Sequence, residues 1–501
     1  MPIKNKKIAI QKVRVRFAPS PTGTLHIGGA RTALFNYLFA KQNKGDFVLR
    51  IEDTDTQRSE LKWVQEIIDE LKWLGIEWNE GPDIGGKLGP YKQSQRLDIY
   101  KKYMETLLEE KKAYYCFCLP DELEAKRQAE ISRGLAPKYD GMCKNLNEKT
   151  VKNNLKEGKK SVIRFKIANK KIKFQDLIRG EIELDTGLLG DIVVAKNLDT
   201  PLFHFTVVVD DFLMQISHVI RGEDHISNTP RQMLLQEALG FHHPMYAHIP
   251  LFLNPDKSKM SKRQGDVALK DYHQKGYLPE ALINFMVLLG WNPGTEKEIF
   301  SLSDLIKEFS IEKVQKSGAV FNLQRLDYLN GYYIREKSIN KLTKLCLPFL
   351  IKANLINEEN KNSAGEEFSQ KTLEKIIEAY KNRLKKLSDI VELTEFFFKN
   401  KLIYDKKSLA WQKMGNNEVK GSLEASEKIL SNAKKWDKKS LEELLVSEAQ
   451  KFNEKNRGYL LWPLRVALSG KESSASPFEI AEILGKEKTL KRIFDAKNIL
   501  E

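Results

Sequence analysis

The sequence predicts an α/β protein: a parallel-sheet domain carrying an inserted α+β module, followed by an all-helical half. Three observations predict it. Short apolar strands alternate with helical periodicities at both ends of the first 255 residues, which marks a parallel sheet. Residues 106 to about 202 break that rhythm with several short strand-like runs. From about 335 onward the apolar residues recur at helical spacing only.

The elements can be justified in order. Val13 to Phe17 alternates apolar and basic residues as a strand. A Pro/Gly/Ser cluster from Ala18 to Thr24 then turns the chain. From Leu25, the residues Ile27, Ala30, Ala33, Leu34, Tyr37 and Leu38 repeat at helical spacing. Phe47 to Ile51 is a second strand, leading into Glu52-Asp53-Thr54-Asp55. The inserted module holds Cys116, Cys118 and Cys143 and a strand at Val162–Ile167. The α/β pattern then resumes with Phe205–Asp211 and the strand-like Ile216–Arg221. In the last part, Leu373, Ile376, Ile377 and Tyr380 form one helical face, and Leu441, Leu444 and Leu445 another. Cys346 sits in an apolar helical run and reads as a core residue. The expected division is 1–105 with 203–255, the insert 106–202, a region 256–334, and a helical region 335–501 split near 405.

Composition narrows the function. A chain of 501 residues with 41% hydrophobic and 9% aromatic content is not intrinsically disordered. Four cysteines are too few for an extracellular disulfide scaffold. No run of about 18 apolar residues suggests a membrane span, and the basic start is followed by too short an apolar run for a signal peptide, so the cytoplasm is the default location. The formal charge of +15 favours a polyanionic partner, nucleic acid first. More than half of that excess, +8, lies in residues 331–501, so the helical half is the more basic part.

Two segments carry chemistry. At His26-Ile27-Gly28-Gly29 a strand, a loop and a helix start follow one another. Free backbone N–H groups and the helix dipole there suit a phosphate, and glycines let it approach. Taken alone, the segment is equally a tight turn with a capped helix. Lys257-Ser258-Lys259-Met260-Ser261-Lys262-Arg263 puts cations on a Ser/Gly loop able to close on a triphosphate. Alone, it is equally a solvated basic loop.

Together the two segments resemble the class I aminoacyl-tRNA synthetases. Pro19-Ser20-Pro21-Thr22-Gly23, with Leu25-His26-Ile27-Gly28-Gly29, precedes Lys259-Met260-Ser261-Lys262-Arg263 by about 230 residues. Gly29 stands where many members have a second His. Together with Arg16, Arg50-Ile51-Glu52-Asp53-Thr54-Asp55, Val219–His225 and Asn228–Gln232, this resembles the glutamyl/glutaminyl branch. Leu461–Gly470 and Phe478–Glu487 resemble the bacterial glutamyl family, so the likeness runs along essentially the whole chain.

The resemblance implies a Rossmann-like catalytic domain, an insert that meets the tRNA acceptor arm, a stem-contact region at 256–334 and an anticodon-binding helical half. It implies ATP, with Mg²⁺, L-glutamate and tRNA-Glu as partners, and a monomer. It assigns ATP contacts to His26, Gly28, Gly29, Leu251, Phe252, Lys259, Ser261, Lys262 and Arg263. Glutamate contacts fall to Arg16, Ala18, Ser20, Glu52, Phe203 and Arg221. Arg383 would face the anticodon. Two departures stand out. Phe203 and Val207 replace a Tyr and an Asn common in the family, so two polar contacts to the amino acid are expected to be missing, and a form that also glutamylates tRNA-Gln stays open. Cys116-x-Cys118 followed after 24 residues by Cys143 has a zinc-site spacing, but Asn145 stands where the family has His. Tyr139, another ligand, or no metal at all remain the options.

Overall fold

A computed structural model describes residues 12–55, 57–258, 260, 268–454 and 456–500. The loop residues Lys259, Ser261, Lys262 and Arg263 therefore lie outside the described residues. The chain divides into two compact units, one of Met1–Gln274 with Pro279–Arg325, the other of Lys275–Leu278 with Leu326–Glu501.

In the first unit the strands are β1 (Arg14–Phe17), β2 (Asp46–Leu49), β3 (Ala113–Cys116), β4 (Val162–Phe165), β5 (Lys171–Asp176), β6 (Gly180–Asp185), β7 (Ile192–Asn197), β8 (Thr200–Pro201), β9 (His218–Gly222), β10 (Met245–Ile249), β11 (Phe252–Leu253) and β12 (Ala319–Val320). β1 and β2 pair in parallel, joined by the helix Ile27–Gln42. β9 and β10 also pair in parallel, and the Ser217 N–H donates to the Arg14 carbonyl at 2.9 Å, linking β9's start to β1. All four residues of β1 are buried, as a strand covered on both faces requires.

The helix Phe203–Leu213 contains the run Val207–Val209. β-branched residues disfavour helix by a few tenths of a kcal/mol each, but these are buried, and burying a Val side chain is worth roughly 1.5 kcal/mol or more. Packing therefore outweighs propensity.

The segment 106–202 contributes to two sheets. β3, β4, β7 and β8 form an antiparallel sheet in that order. The hairpin β5–β6 instead joins the parallel sheet, with β5 beside β10 at the rung Asp176–Tyr246. Its apolar side chains share one core with the rest of the unit: Ile163, Phe165, Ile172 and Phe174 belong to the same cluster as Tyr100, Phe205 and Leu235. The helices Pro120–Ser132 and Glu148–Lys156 of this segment bury no residue at all.

The second unit is helical. Its helices include Ile339–Lys352, Gln370–Tyr380, Asn416–Ser431, Lys438–Phe452, Gly458–Ser469 and Pro477–Asn498. Leu373, Ile376, Ile377 and Tyr380 are fully buried, as their spacing predicts. Leu441 and Leu445 are buried as well, whereas Leu444 is half-buried at the edge of that face. Cys346 is in the core, and burial pushes its thiol up to about 12. Helix starts are closed by side chains, as where Ser476 and Glu479 form a reciprocal capping box.

Candidate active site

One cleft of about 520 Å³ in the first unit is lined by Arg16, Ala18, Ser20, His26, Gly28, Gly29, Glu52, Phe203, Arg221, Leu251 and Phe252. Residues far apart in sequence thus meet at the ends of β1, β9 and β10 and the start of Ile27–Gln42. A crevice beyond the carboxyl ends of parallel strands is where such sheets bind ligands. Met260, inside the basic loop, lines the same cleft. The loop's two stems are tied there: the Met260 N–H donates to the Phe252 carbonyl at 3.1 Å, and the Leu269 N–H donates to the Leu25 carbonyl at 2.8 Å.

The mouth of the helix is built by His26. It is the N-cap, and its Nδ1 accepts from the Gly28 N–H at 2.9 Å. A Cβ on Gly28 would stand 3.2 Å from that nitrogen and 4.0 Å from Phe252, and one on Gly29 would stand 3.2 Å from the Leu25 side chain. Glycine keeps the helix entrance open on the cleft side. Phe252 is held from behind by Arg31, whose guanidinium lies 3.9 Å from the ring centre and donates to the carbonyls of Leu289 and Pro250. Burial lowers Arg31 to about 9, since the nearest opposing charge, Glu223, only partly offsets it. Glu223 itself accepts the Leu251 N–H at 2.7 Å.

At the other end of the cleft lies a buried network of charges. Arg50, fully buried, donates to Asp211 at 2.7 Å and to Glu52 at 3.0 Å, and lies 3.8 Å from Asp210. Arg16 holds Asp211 in a fork at 3.1 and 3.3 Å. Asp210 accepts from Arg96, Tyr100 and Gln93 at 2.7–2.8 Å. Burial works against the charge on Arg50, but Asp211, Glu52 and Asp210 outweigh it and raise its pKa. Burial also raises the Glu52 carboxyl, more than Arg50 lowers it. Asp211 ends below the ordinary carboxylate range because Arg16 and Arg50 overcome its burial.

Arg221 is different. It is 6% exposed, and no carboxylate among the described residues lies within ion-pair distance. Burial lowers it to about 10. A buried guanidinium without a carboxylate is costly unless a ligand supplies one. Beside it are Phe203 and Val207, both on the cleft wall. The rings of His204 and His225 lie 5.4 and 5.7 Å from Phe203, and burial lowers both to about 4, with the nearby arginines adding to the effect, so they stay neutral. The positions expected to lose polar contacts are therefore apolar and face the cleft.

A family model described as the catalytic domain of class I tRNA synthetases (E and Q) matches residues 12–328, and one for an anticodon binding domain matches residues 341–497. The chain belongs to the class I tRNA synthetases of the glutamate and glutamine group. It is 45% identical over 487 residues to glutamate–tRNA ligase 1 of Caldicellulosiruptor saccharolyticus, covering 96% of this chain and 98% of that one. It is 44% identical over 499 residues to the glutamate–tRNA ligase of Carboxydothermus hydrogenoformans, with 97% and 100% covered. A crystal structure of a glutamate tRNA ligase from Elizabethkingia meningosepticum in complex with its amino acid superposes with a TM-score of 0.86 at 36% identity, covering 98% of this chain and 100% of that one.

In this synthetase the three cysteines of the insert also come together. The sulfurs of Cys116, Cys118 and Cys143 lie within 4.8 Å of one another, with Cys118 and Cys143 at 3.6 Å. Zinc–sulfur bonds of about 2.3 Å in a tetrahedron put sulfurs about 3.8 Å apart, so the thiols fit. Asn145 is exposed. The hydroxyl of Tyr139 instead points into the cluster, 3.3 Å from Cys116 Sγ, 3.6 Å from Cys118 Sγ and 3.1 Å from the Cys143 N–H. Burial raises the Cys116 thiol, but hydrogen bonds from Tyr139, the Cys118 N–H and Arg164 outweigh it and lower its pKa, whereas burial and the neighbouring thiols raise Cys118 to about 11. Arg383, in the second unit, is exposed on a short turn beside Tyr380, 5.8 Å from its ring. It also disfavours the charge on Arg465, which burial already lowers.

Sequence reasoning missed some cleft residues: Arg31, Thr32, Asp224 and His225 line it too. Arg31 lies four residues after Ile27, inside the expected helix, but a charged residue there gives no sign in the sequence that it is buried. Arg50 and Asp211 were quoted in motifs without a role; only the fold reveals that they bridge.

Proposed function

We propose that this chain is a glutamate–tRNA ligase. The α-carboxylate of L-glutamate attacks the α-phosphorus of ATP, forming glutamyl adenylate and releasing pyrophosphate. A terminal ribose hydroxyl of tRNA-Glu then takes the glutamyl group and AMP leaves. The observation that carries the reading is Arg221, a buried cation with no carboxylate partner among the described residues, in the same cleft as an open glycine-bearing helix start.

The roles follow from charge and shape. Arg221 receives the substrate's side-chain carboxylate in a fork, with Arg16, already shared with Asp211, as its neighbour. Glu52 accepts the ammonium, whose charge draws it back to the carboxylate form. Ala18 and Ser20 line this end, and Phe203 covers it. His26, Gly28 and Gly29 receive phosphate at the helix start. The backbone around Leu251 and Phe252 meets the adenine. Lys259, Ser261, Lys262 and Arg263 close on the leaving pyrophosphate, a reading supported by Met260 at the cleft. Mg²⁺ accompanies ATP and neutralises phosphate charge. Arg383 reads the anticodon from the basic second unit, where unpaired bases offer edges and faces to Arg. Residues 256–334 contact the tRNA stem. The enzyme works as a cytoplasmic monomer. A charging assay with purified tRNA-Glu tests the reading: glutamate- and ATP-dependent acylation is expected, and its absence would overturn it.

Zinc would be held by Cys116, Cys118, Cys143 and Tyr139, and its part would be structural, pinning the end of β3 to the loop that carries Cys143. No step of the reaction passes through it. Metal analysis of the purified chain should find about one zinc per molecule, lost in Cys118→Ser and unaffected in Asn145→Ala. A metal-free wild type, or loss of metal on changing Asn145, would exclude this ligand set.

A further inference from the structure

The fully buried His248 lies directly behind Arg221. Its Nδ1 is 2.7 Å from Asp176 Oδ2, and its Nε2 is 3.2 Å from Arg221 Nε and 3.2 Å from Thr229 Oγ1. A carboxylate only accepts, so Nδ1 carries the proton and faces Asp176. In a neutral ring Nε2 is then the acceptor, and the Arg221 Nε–H donates to it. Arg221 also donates through NH2 to Thr229 at 2.8 Å. Two of its donor groups are thus fixed from behind, which leaves the rest of the fork for the cleft.

The far end of the chain of contacts is just as firmly set. Asp176 is 1% exposed and accepts from the backbone N–H groups of Ile178 at 3.0 Å, Arg179 at 2.9 Å and His248 at 3.1 Å. Burial alone would raise its carboxyl, but the His248 hydrogen bond and those N–H groups hold it below the ordinary range. Burial keeps His248 neutral, helped by Arg221. Asp176 belongs to β5, so it comes from the inserted segment, at the single rung where that segment meets β10.

We infer that Asp176 and His248 are positioning residues for amino-acid selection: Asp176 sets the histidine tautomer, and His248 Nε2 fixes the direction of the Arg221 fork. The inference rests on the reading that Arg221 receives the glutamate side chain, and it assigns part of the amino-acid pocket to the insert.

The test compares two amide replacements in the full-length enzyme. A glutamine places its amide near the Nε2 position and can still accept from Arg221. An asparagine reaches only the Nδ1 position and keeps contact with Asp176 alone. His248→Gln should leave the glutamate KM within about threefold of wild type, whereas His248→Asn should raise it about tenfold or more, with the ATP KM unchanged in both. Preference for glutamate over glutamine should fall in His248→Asn only. In an Arg221→Ala background the difference between the two amides should vanish. Equal effects of both replacements, or glutamate and ATP KM rising together, would overturn the relay and leave His248 a packing residue. If Arg221→Ala itself leaves the glutamate KM unchanged, the fault lies in the underlying assignment of Arg221. If Arg221→Ala raises it and His248→Asn does not, only the relay fails.

Discussion

Replacing Arg221 with alanine should raise the glutamate KM about a hundredfold while the ATP KM stays within about twofold. The size follows from the site. Truncating one partner of a buried, hydrogen-bonded charge pair costs about 3 kcal/mol, and about 1.4 kcal/mol is a factor of ten. Arg16 cannot take over, because its fork is spent on Asp211 at 3.1 and 3.3 Å. Lysine at position 221 should recover only part of the loss, since it offers a point charge in place of two parallel donors. Steady-state pyrophosphate exchange in the presence of tRNA, varying each substrate in turn, reads both constants. An ATP KM that rose in step would show that Arg221 holds up the whole cleft instead of one substrate.

Arg50→Met should be the most damaging change to stability in the first unit. Arg50 joins Asp211, Glu52 and Asp210 with no exposure to water. Removing it leaves Glu52 without the cation that pairs with it and weakens the neutralisation of both aspartates. Breaking a buried ion pair by deleting one partner costs about 3–5 kcal/mol. Chemical denaturation should show that loss. The pH dependence has a definite sign. Glu52 is already raised by its burial, and removing Arg50 raises it further, so the variant folds more easily with that carboxyl protonated. The deficit should therefore be larger at about pH 8 than at about pH 5. A variant within about 1 kcal/mol of wild type would mean that the carboxylates find other partners without cost.

How much of this was legible beforehand differs from residue to residue. The strand at Val13–Phe17 and the helix after it were readable because local periodicity and turn chemistry agree there, whereas His26 and Met260 sharing one cleft followed only from the family resemblance. Leu373, Ile376, Ile377 and Tyr380 were readable for the same reason. His248 was not, because a histidine in an apolar strand looks like any core residue until Asp176, 72 positions away, is folded against it. Arg50 shows the same gap: its sequence neighbours include Glu52, but Asp211 lies 161 positions on. Tyr139 was one option among several for the fourth ligand; which one meets the thiols depends on how the insert's loop turns back, and the cysteine spacing does not encode that. Long-range pairing of polar groups leaves no period in a sequence.

The shared apolar cluster and the β5–β10 rung have a consequence for how such enzymes diverge. A chimera with crossover points near 106 and 202 would not exchange a self-contained cassette. It would bring a foreign aspartate, or none, against His248, together with about a third of a core that must fit Tyr100, Phe205 and Leu235. Recombinants would be expected to survive mainly when both parts share an ancestor, so that the two sides of the common core are inherited as a block.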